Sequence, residues 1–475
     1  MSGSARYQNP LITRYASKEM AHIFSADNKY MIWRKLWLAL AKSQQALGVD
    51  IGDEQLQAME KHLATIDYEQ VRKIEQALKH DVMSHITAFA EQAKAAAPII
   101  HLGATSAFVT DNSELIMMRD AGRLLFHKLL QLIGVLARSC RELKGLAVLG
   151  FTHFQPAQPT TLGKRLAMWL QDMLTDAVDL HEFLTRLPFR GAKGTVGSQA
   201  SYLELLDNQP EKCRQLDTML VDAFGFSRTF AITGQTYPRK TDYHYAAILS
   251  GVAQSLSKMA IDIRLLQHRR EVMEPFGSRQ VGSSAMPYKR NPMRCERLTA
   301  LARFVICRTQ DTAHTAANQW LERSLDDSAI RRIAIPEISL ASDAIITLGY
   351  QIISGLQVNR SEISAHLSQY MPFLMAEKLM AEMVKQGFSR QEVHEKIRRA
   401  SLKSEASHGQ RDMMSCLLED ETIAPFAAFM ESNMDVDRHV GLAPQQVERF
   451  LSQDVRPFLQ AHLKENTPMQ DDHGV

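Results

Sequence analysis

Four long apolar stripes, each built on gaps of three and four residues, constrain this chain more than any other feature. The first runs Leu115, Met118, Gly122, Leu125, Leu129, Leu132, Leu136, and the second Leu166, Leu170, Met173, Ala177, Leu180, Leu184, Leu187. The third is Leu249, Val252, Leu256, Met259, Ile263, Leu266, and the fourth Ile338, Ala341, Ile345, Leu348, Ile352. A shorter run starts Leu298, Leu301, Val305. A period near 3.5 keeps such residues on one helix face, as in a coiled-coil seam. Several such helices predict an all-α fold with a bundle of nearly parallel axes.

One seam per helix does not use up the apolar surface. Met168 and Trp169 flank the second stripe, and Ile248, Ile261 and Leu265 flank the third. A helix apolar on several faces needs cover on several faces, so a homo-oligomer is expected. Residues 1–111 and 364–475 carry shorter helices, such as Tyr30–Leu47, which brackets a central long-helix domain at 112–363. Gly387 ends one C-terminal helix, and Ser389-Arg-Gln-Glu392 reads as a capping box that opens the next. Pro188–Arg239 is the least regular stretch, with room for a short hairpin. The tail beyond Glu465 is polar and expected to lack structure.

Composition excludes several function classes. With 55 basic and 53 acidic residues the net charge is +2, which argues against a nucleic-acid partner. Five cysteines with no CxxC pair argue against a disulfide framework or structural zinc, and fit a reducing, cytoplasmic setting. The N-terminal MSGSARYQNP has no apolar leader core, and no run of 18 apolar residues suggests a membrane span. No phosphate-cradling or dinucleotide glycine motif occurs, so no cofactor is expected.

Three segments have compositions that a bundle does not need for packing. Gly282-Ser-Ser-Ala-Met-Pro-Tyr-Lys-Arg-Asn-Pro292 lies between the third stripe and the next helix. Its prolines forbid a continuous helix. Gly277, Ser278 and Gly282 suggest a flexible approach suited to a closing lid. Lys289 and Asn291 suit a carboxylate, and a serine there suits a base or nucleophile if nearby positive charge lowers its pKa. In Gly150-Phe-Thr-His-Phe-Gln-Pro-Ala-Gln-Pro159, His153 sits in a turn, placed for proton transfer near pH 7. Serine is a poor base in water, so the residues alone favour His153 as base and the serine as a substrate contact. The third segment joins His80-Asp-Val-Met-Ser-His85 to His101-Leu-Gly-Ala-Thr-Ser106. Histidines five apart do not share a helix face, so hydrogen bonding is expected here and a metal is not. Thr105 and Ser106 precede Asp111-Asn-Ser113, read as a helix start, and suit an anionic group. Arg14-Tyr15 and Arg323–Arg332 add guanidinium forks that match carboxylate or phosphate.

GSSAMPYKRNP resembles the signature of the fumarase/aspartase superfamily, and THFQPAQ and HLGATS resemble two other shared regions. With ITGQTYPRK (Ile232–Lys240) and RSLDDSAIRR (Arg323–Arg332), the chain looks like the animal-type branch of the adenylosuccinate lyase family. The resemblance runs from Arg14 to about residue 460 and is least distinct in the last hundred residues. It implies three helical domains, a homotetramer with a twenty-helix core, and active sites shared between subunits. It also implies release of fumarate from adenylosuccinate, giving AMP, and from the succinyl-carboxamide imidazole ribotide SAICAR, giving AICAR. Argininosuccinate lyase, or another fumarate-releasing lyase of the superfamily, is the alternative.

The resemblance further implies residue roles. Ser283, rather than its neighbour Ser284, is the general base, and His153 is the general acid. Lys289 and Asn291 hold the carboxylate that gains charge, with Lys289 counted among the catalytic groups. His80 supports His153 or lies near the phosphate, beside Asp81. Gln235, Thr152, Thr105 and Ser106 bind the succinyl and ring portions. Arg14, Tyr15, Arg297, Arg323, Ser328 and Arg332 bind the nucleotide.

Overall fold

A computed structural model describes residues 7–277, 279–407 and 411–462. Ser278 and the tail beyond Glu465 lie outside the described residues. In chain order, the elements that position the site begin with helices α1 (Ala26–Ala46) and α2 (Asp81–Gln92). Helix α3 (Ser106–Glu142) leads into strands β1 (Ala147–Thr152) and β2 (Gln155–Thr161) and then α4 (Leu162–Arg186). Helices α5 (Lys240–His268), α6 (Met293–Ala317) and α7 (Asp327–Ser354) complete the bundle. Helices α8 (Arg360–Leu374), α9 (Ala376–Lys385) and α10 (Arg390–Ala406) open the C-terminal region.

The stripes form the bundle core as expected. Leu125, Leu129, Leu132, Leu166, Leu170, Leu249, Leu256, Ile338 and Ile345 are all fully buried in one cluster. Each such side chain contributes roughly 1.5–3 kcal/mol when removed from water. Helix α7 is apolar and long enough to cross a membrane by length and composition, yet 72% of its most apolar window is buried inside the protein. Of the residues flanking the stripes, Trp169 is buried in the same chain and donates to Asp262 at 2.7 Å. Met168, Ile261 and Leu265 stay exposed at 47%, 45% and 39%. A second cluster joins α1 and α2 to Phe189, Tyr202 and Leu216, and a third holds Met375, Leu379, Val393 and Leu417.

Chain direction alternates between the long helices, and this fixes which segments meet. Arg239, just before α5, reaches Asp327 at the start of α7 at 2.6 Å and Asp111 near the start of α3 at 3.0 Å. At the opposite end, Arg165 in the first turn of α4 donates to the Leu149 carbonyl at 2.8 Å. Arg269, just past α5, lies over the Phe151 ring at 4.7 Å. The carboxylate of Glu274 takes the backbone N–H groups of Arg294 and Cys295, which caps α6 at that same end. The five helices have 25 to 37 residues. At 1.5 Å per residue the two ends stand roughly 40–55 Å apart.

Three local expectations need correction. Asp111-Asn-Ser113 is not a helix start: α3 begins at Ser106 after an extended Thr105, and Asp111 is buried five residues inside it, paired with Arg239. Pro188–Arg239 holds no hairpin among the described residues. It carries two helices, Ala200–Leu205 and Pro210–Phe224, and a single parallel bridge from Phe189 to Thr229. The hairpin lies instead at β1–β2, where the prolines of the His153 segment had masked it. Helix α10 does follow Ser389, but that side chain makes no capping bond to the helix and instead meets Gln391 at 3.5 Å.

Candidate active site

At one end of the bundle stand the Gly282–Pro292 loop and the β1–β2 hairpin. Thr152 pairs with Gln155 across a two-residue turn made of His153 and Phe154. Both turn residues have positive φ, 53° and 57°, the backbone of a tight hairpin turn that splays neither strand. For residues other than glycine this conformation costs energy and is held by its surroundings. The hairpin is fixed from below by Arg165 and by Gln158, whose amide donates to Glu377 at 2.5 Å. Thr152 and His153 are exposed at its tip.

The loop is closed on itself. Asn291 donates its amide to the Gly282 carbonyl at 2.7 Å, and the Lys289 amide donates to the Met286 carbonyl at 3.0 Å. Gly282 is buried, and a Cβ there would lie 2.1 Å from the Lys289 carbonyl oxygen. Its smallness serves close packing, not the hinge expected from the sequence. Ser283 Oγ accepts N–H groups from Met286 at 3.1 Å and Ala285 at 3.3 Å. Donors aimed at that oxygen favour its anionic form. The Lys289 and Ser284 side chains are exposed. Among the described residues, no hydrogen bond or ring contact joins Ser283 to His153.

The other end carries a second group. His80 caps α2, its Nδ1 accepting the Met83 N–H at 3.3 Å. The next residue, Asp81, receives Arg332 at 2.5 Å. Burial pushes the Asp81 carboxyl up, but the hydrogen bond and charge of Arg332 outweigh it and hold the group below the usual carboxylate range. Arg323 pairs with Asp327 at 2.7 Å, and Ser328 lies in the first turn of α7. Gln235 donates its side-chain amide to the Thr195 carbonyl and its backbone N–H to the Glu322 carbonyl, both at 3.0 Å. Thr105 and Ser106 open α3 here and are half-buried. Near the loop end, Arg297 in the second turn of α6 lies over the Tyr15 ring at 5.9 Å, and Arg14, next to Tyr15 in sequence, is exposed.

The adjacent arginines of RSLDDSAIRR therefore part company. Arg331 turns inward to Asp242 at 2.6 Å and Glu114 at 2.5 Å, while Arg332 faces the open end. His80 and His85 part as well. His85 stacks on Tyr30 at 3.8 Å, and burial drives its pKa down to about 4. His101 accepts the Trp37 indole N–H at 2.8 Å, and burial takes it to about 4 too. Lys29 and Glu114 line a small cavity with Arg332 and could not be singled out from the sequence, because α1 and the early turns of α3 carry no motif that marks them.

Comparison with known proteins shows which family the whole chain resembles. A lyase family model matches residues 14–307, and a model of the adenylosuccinate lyase C-terminus matches residues 372–450. The adenylosuccinate lyase of Schistosoma mansoni is 44% identical over 96% of both chains. The chain belongs to the adenylosuccinate lyase family. The Saccharomyces cerevisiae member of this family is 45% identical, again over 96% of both chains. A solved 3-carboxy-cis,cis-muconate lactonizing enzyme from Pseudomonas putida has a TM-score of 0.83, with 22% identity over 95% of this chain and 100% of that one. That likeness shows the shared long-helix fold.

Proposed function

We propose that this protein cleaves adenylosuccinate to AMP and fumarate, and SAICAR to AICAR and fumarate. The observation that carries the reading is the full-length similarity to adenylosuccinate lyases, together with the family-specific C-terminal match. That match also favours it over argininosuccinate lyase. Both reactions are β-eliminations. Ser283 Oγ takes a proton from the succinyl Cβ, the electron pair forms the new C=C bond, the C–N bond breaks, and His153 protonates the departing nitrogen. The sequence needs no oxidant, and both protons are carried by side chains.

Two features support these roles. The two N–H donors on Ser283 Oγ favour its anionic form over the neutral hydroxyl, which supports the base role. The exposed, strained turn at His153 suits a group that must reach into a site built elsewhere. Lys289 and Asn291 would take the carboxylate beside the carbanion, where stabilising new charge counts most. At the far end, Gln235, Thr105, Ser106, Arg323, Ser328, His80, Asp81 and Arg332 would hold the nucleotide and succinyl portions, with Thr152, Arg14, Tyr15 and Arg297 completing the set.

One chain holds these groups at ends roughly 40–55 Å apart, too far for a single nucleotide to bridge. The reading therefore requires several copies to build each site, and a homotetramer is the assembly proposed. The exposed Met168, Ile261 and Leu265 on the long helices offer the apolar face for it. The division at 1–111, 112–363 and 364–475 remains the sequence-based proposal; the hydrophobic clusters cross both boundaries, since the bundle cluster takes in Met20 and Val447 and the second cluster takes in Phe189 and Leu216. A cytoplasmic setting fits the five unpaired cysteines. The test is ultraviolet absorbance: conversion of adenylosuccinate supports the reading, and no spectral change with release of fumarate from argininosuccinate instead overturns it.

A further inference from the structure

The long-helix core holds one buried ion pair midway between its ends. Lys128 of α3 donates to Asp343 Oδ1 of α7 at 2.5 Å, with Asp343 fully buried and Lys128 nearly so. Placing two charges among leucines costs several kcal/mol per ion, and a well-packed apolar pair is often at least as stable. Packing alone therefore gives no reason for it. The second carboxylate oxygen supplies one. Asp343 Oδ2 accepts the backbone N–H of Ser17 at 2.6 Å, across 326 residues of sequence.

Ser17 is two residues past Tyr15, at the end of the short helical turn Leu11–Tyr15. That turn also meets the bundle through Asn9, which donates to Glu337 at 3.3 Å, and through Leu11, which is buried. Beyond it, Tyr15 faces Arg297. A charged acceptor on a backbone N–H is about twice as strong as a neutral one. Lys128 holds the carboxylate in place.

We infer that Asp343, held by Lys128, is a positioning residue for nucleotide binding: it pins Ser17 and thereby sets Arg14 and Tyr15 toward the phosphate-bearing end of the substrate. This rests on the reading of Arg14 and Tyr15 as nucleotide contacts. Asp343 touches no substrate, and its effect passes through the N-terminal turn.

The test uses two independent breaks. Ser17 has φ −66° and ψ 157°, and Ala16 before it has φ −78° and ψ 153°. Both are backbone conformations that proline permits. Ser17→Pro thus deletes the N–H and leaves the bundle charges intact. Ser17→Ala, which loses only the hydroxyl cap on Met20, sets the baseline. K128M/D343L removes both charges and the acceptor together, and Ser17→Pro still reports if that double variant does not fold. Relative to the baseline, both breaks raise KM for adenylosuccinate about tenfold or more and weaken product inhibition by AMP equally, with kcat little changed. Inhibition by fumarate stays as in the parent enzyme. An unchanged KM in assembled Ser17→Pro overturns the inference, as does a fall in kcat that tracks lost protein. Arg14→Ala separates the two levels. If it leaves KM unaltered, the reading of the turn as a nucleotide contact fails. If it raises KM while Ser17→Pro does not, only the anchor fails.

Discussion

Arg332 reaches across 251 residues of sequence to Asp81, and the two meet at 2.5 Å at the open end of the bundle. Both side chains are partly exposed, at 47% and 29%. Exposed pairs of this kind contribute little to stability. Under the proposed function, the pair instead holds a guanidinium fork for a phosphate or carboxylate of the substrate. Arg332→Lys keeps the charge and loses the fork. Its expected result is a KM raised about tenfold, with an unchanged thermal midpoint. Steady-state kinetics and a melting curve on the same preparation check both.

Arg331 should behave in the opposite way. It is buried and serves Asp242, Glu114 and the Tyr237 hydroxyl together. Arg331→Met leaves those carboxylates without their cation, a loss of roughly 3–5 kcal/mol. Denaturant unfolding should show the loss, and KM of whatever remains folded should move far less than in Arg332→Lys.

Acid should unfold the N-terminal helices through two histidines. Burial holds His85 and His101 near pKa 4, below the ordinary value of about 6.5. A depressed histidine pKa means the unfolded chain takes up the proton first. The stability these neutral rings contribute is thus complete above about pH 6.5 and lost as pH falls from there toward 4. His85→Phe keeps the stack on Tyr30 and removes one titration. Its melting temperature should fall less steeply between pH 6.5 and 4 than that of the parent, and parallel curves would refute the assignment.

The hairpin that carries His153 has a steric requirement at Gly150. A Cβ there would lie 2.4 Å from the Gln158 carbonyl oxygen, where the strand register shifts. Gly150→Ala should distort the hairpin that carries His153 and lower kcat more than KM, at a stability loss of roughly 1–3 kcal/mol. Kinetics with a calorimetric scan would separate the two effects.

The sequence made the bundle legible because burial leaves a periodic trace, and Leu125, Leu166 and Ile338 are buried where that trace puts them. The segments that carry chemistry were visible by composition, since prolines, glycines and hydroxyls have no packing use in a bundle. Their conformations were not. Gly150 and two prolines disguise a hairpin, and Gly282 reads as a hinge although it is a packing contact. Asp111 reads as a cap because its partner, Arg239, is 128 residues away. Long-range ion pairs such as Arg239–Asp111 and Lys128–Asp343 leave no local signal, so the inward and outward arginines of one motif could not be told apart.

The division of labour between Ser283 and His153 is tested most directly by Ser283→Ala in a single-turnover ultraviolet assay with adenylosuccinate, paired with a binding measurement. General-base removal of the Cβ proton predicts that the variant binds substrate at near-parent affinity and cleaves it roughly 10²–10⁴-fold more slowly. Near-parent cleavage with substrate bound would contradict it and return the base role to His153.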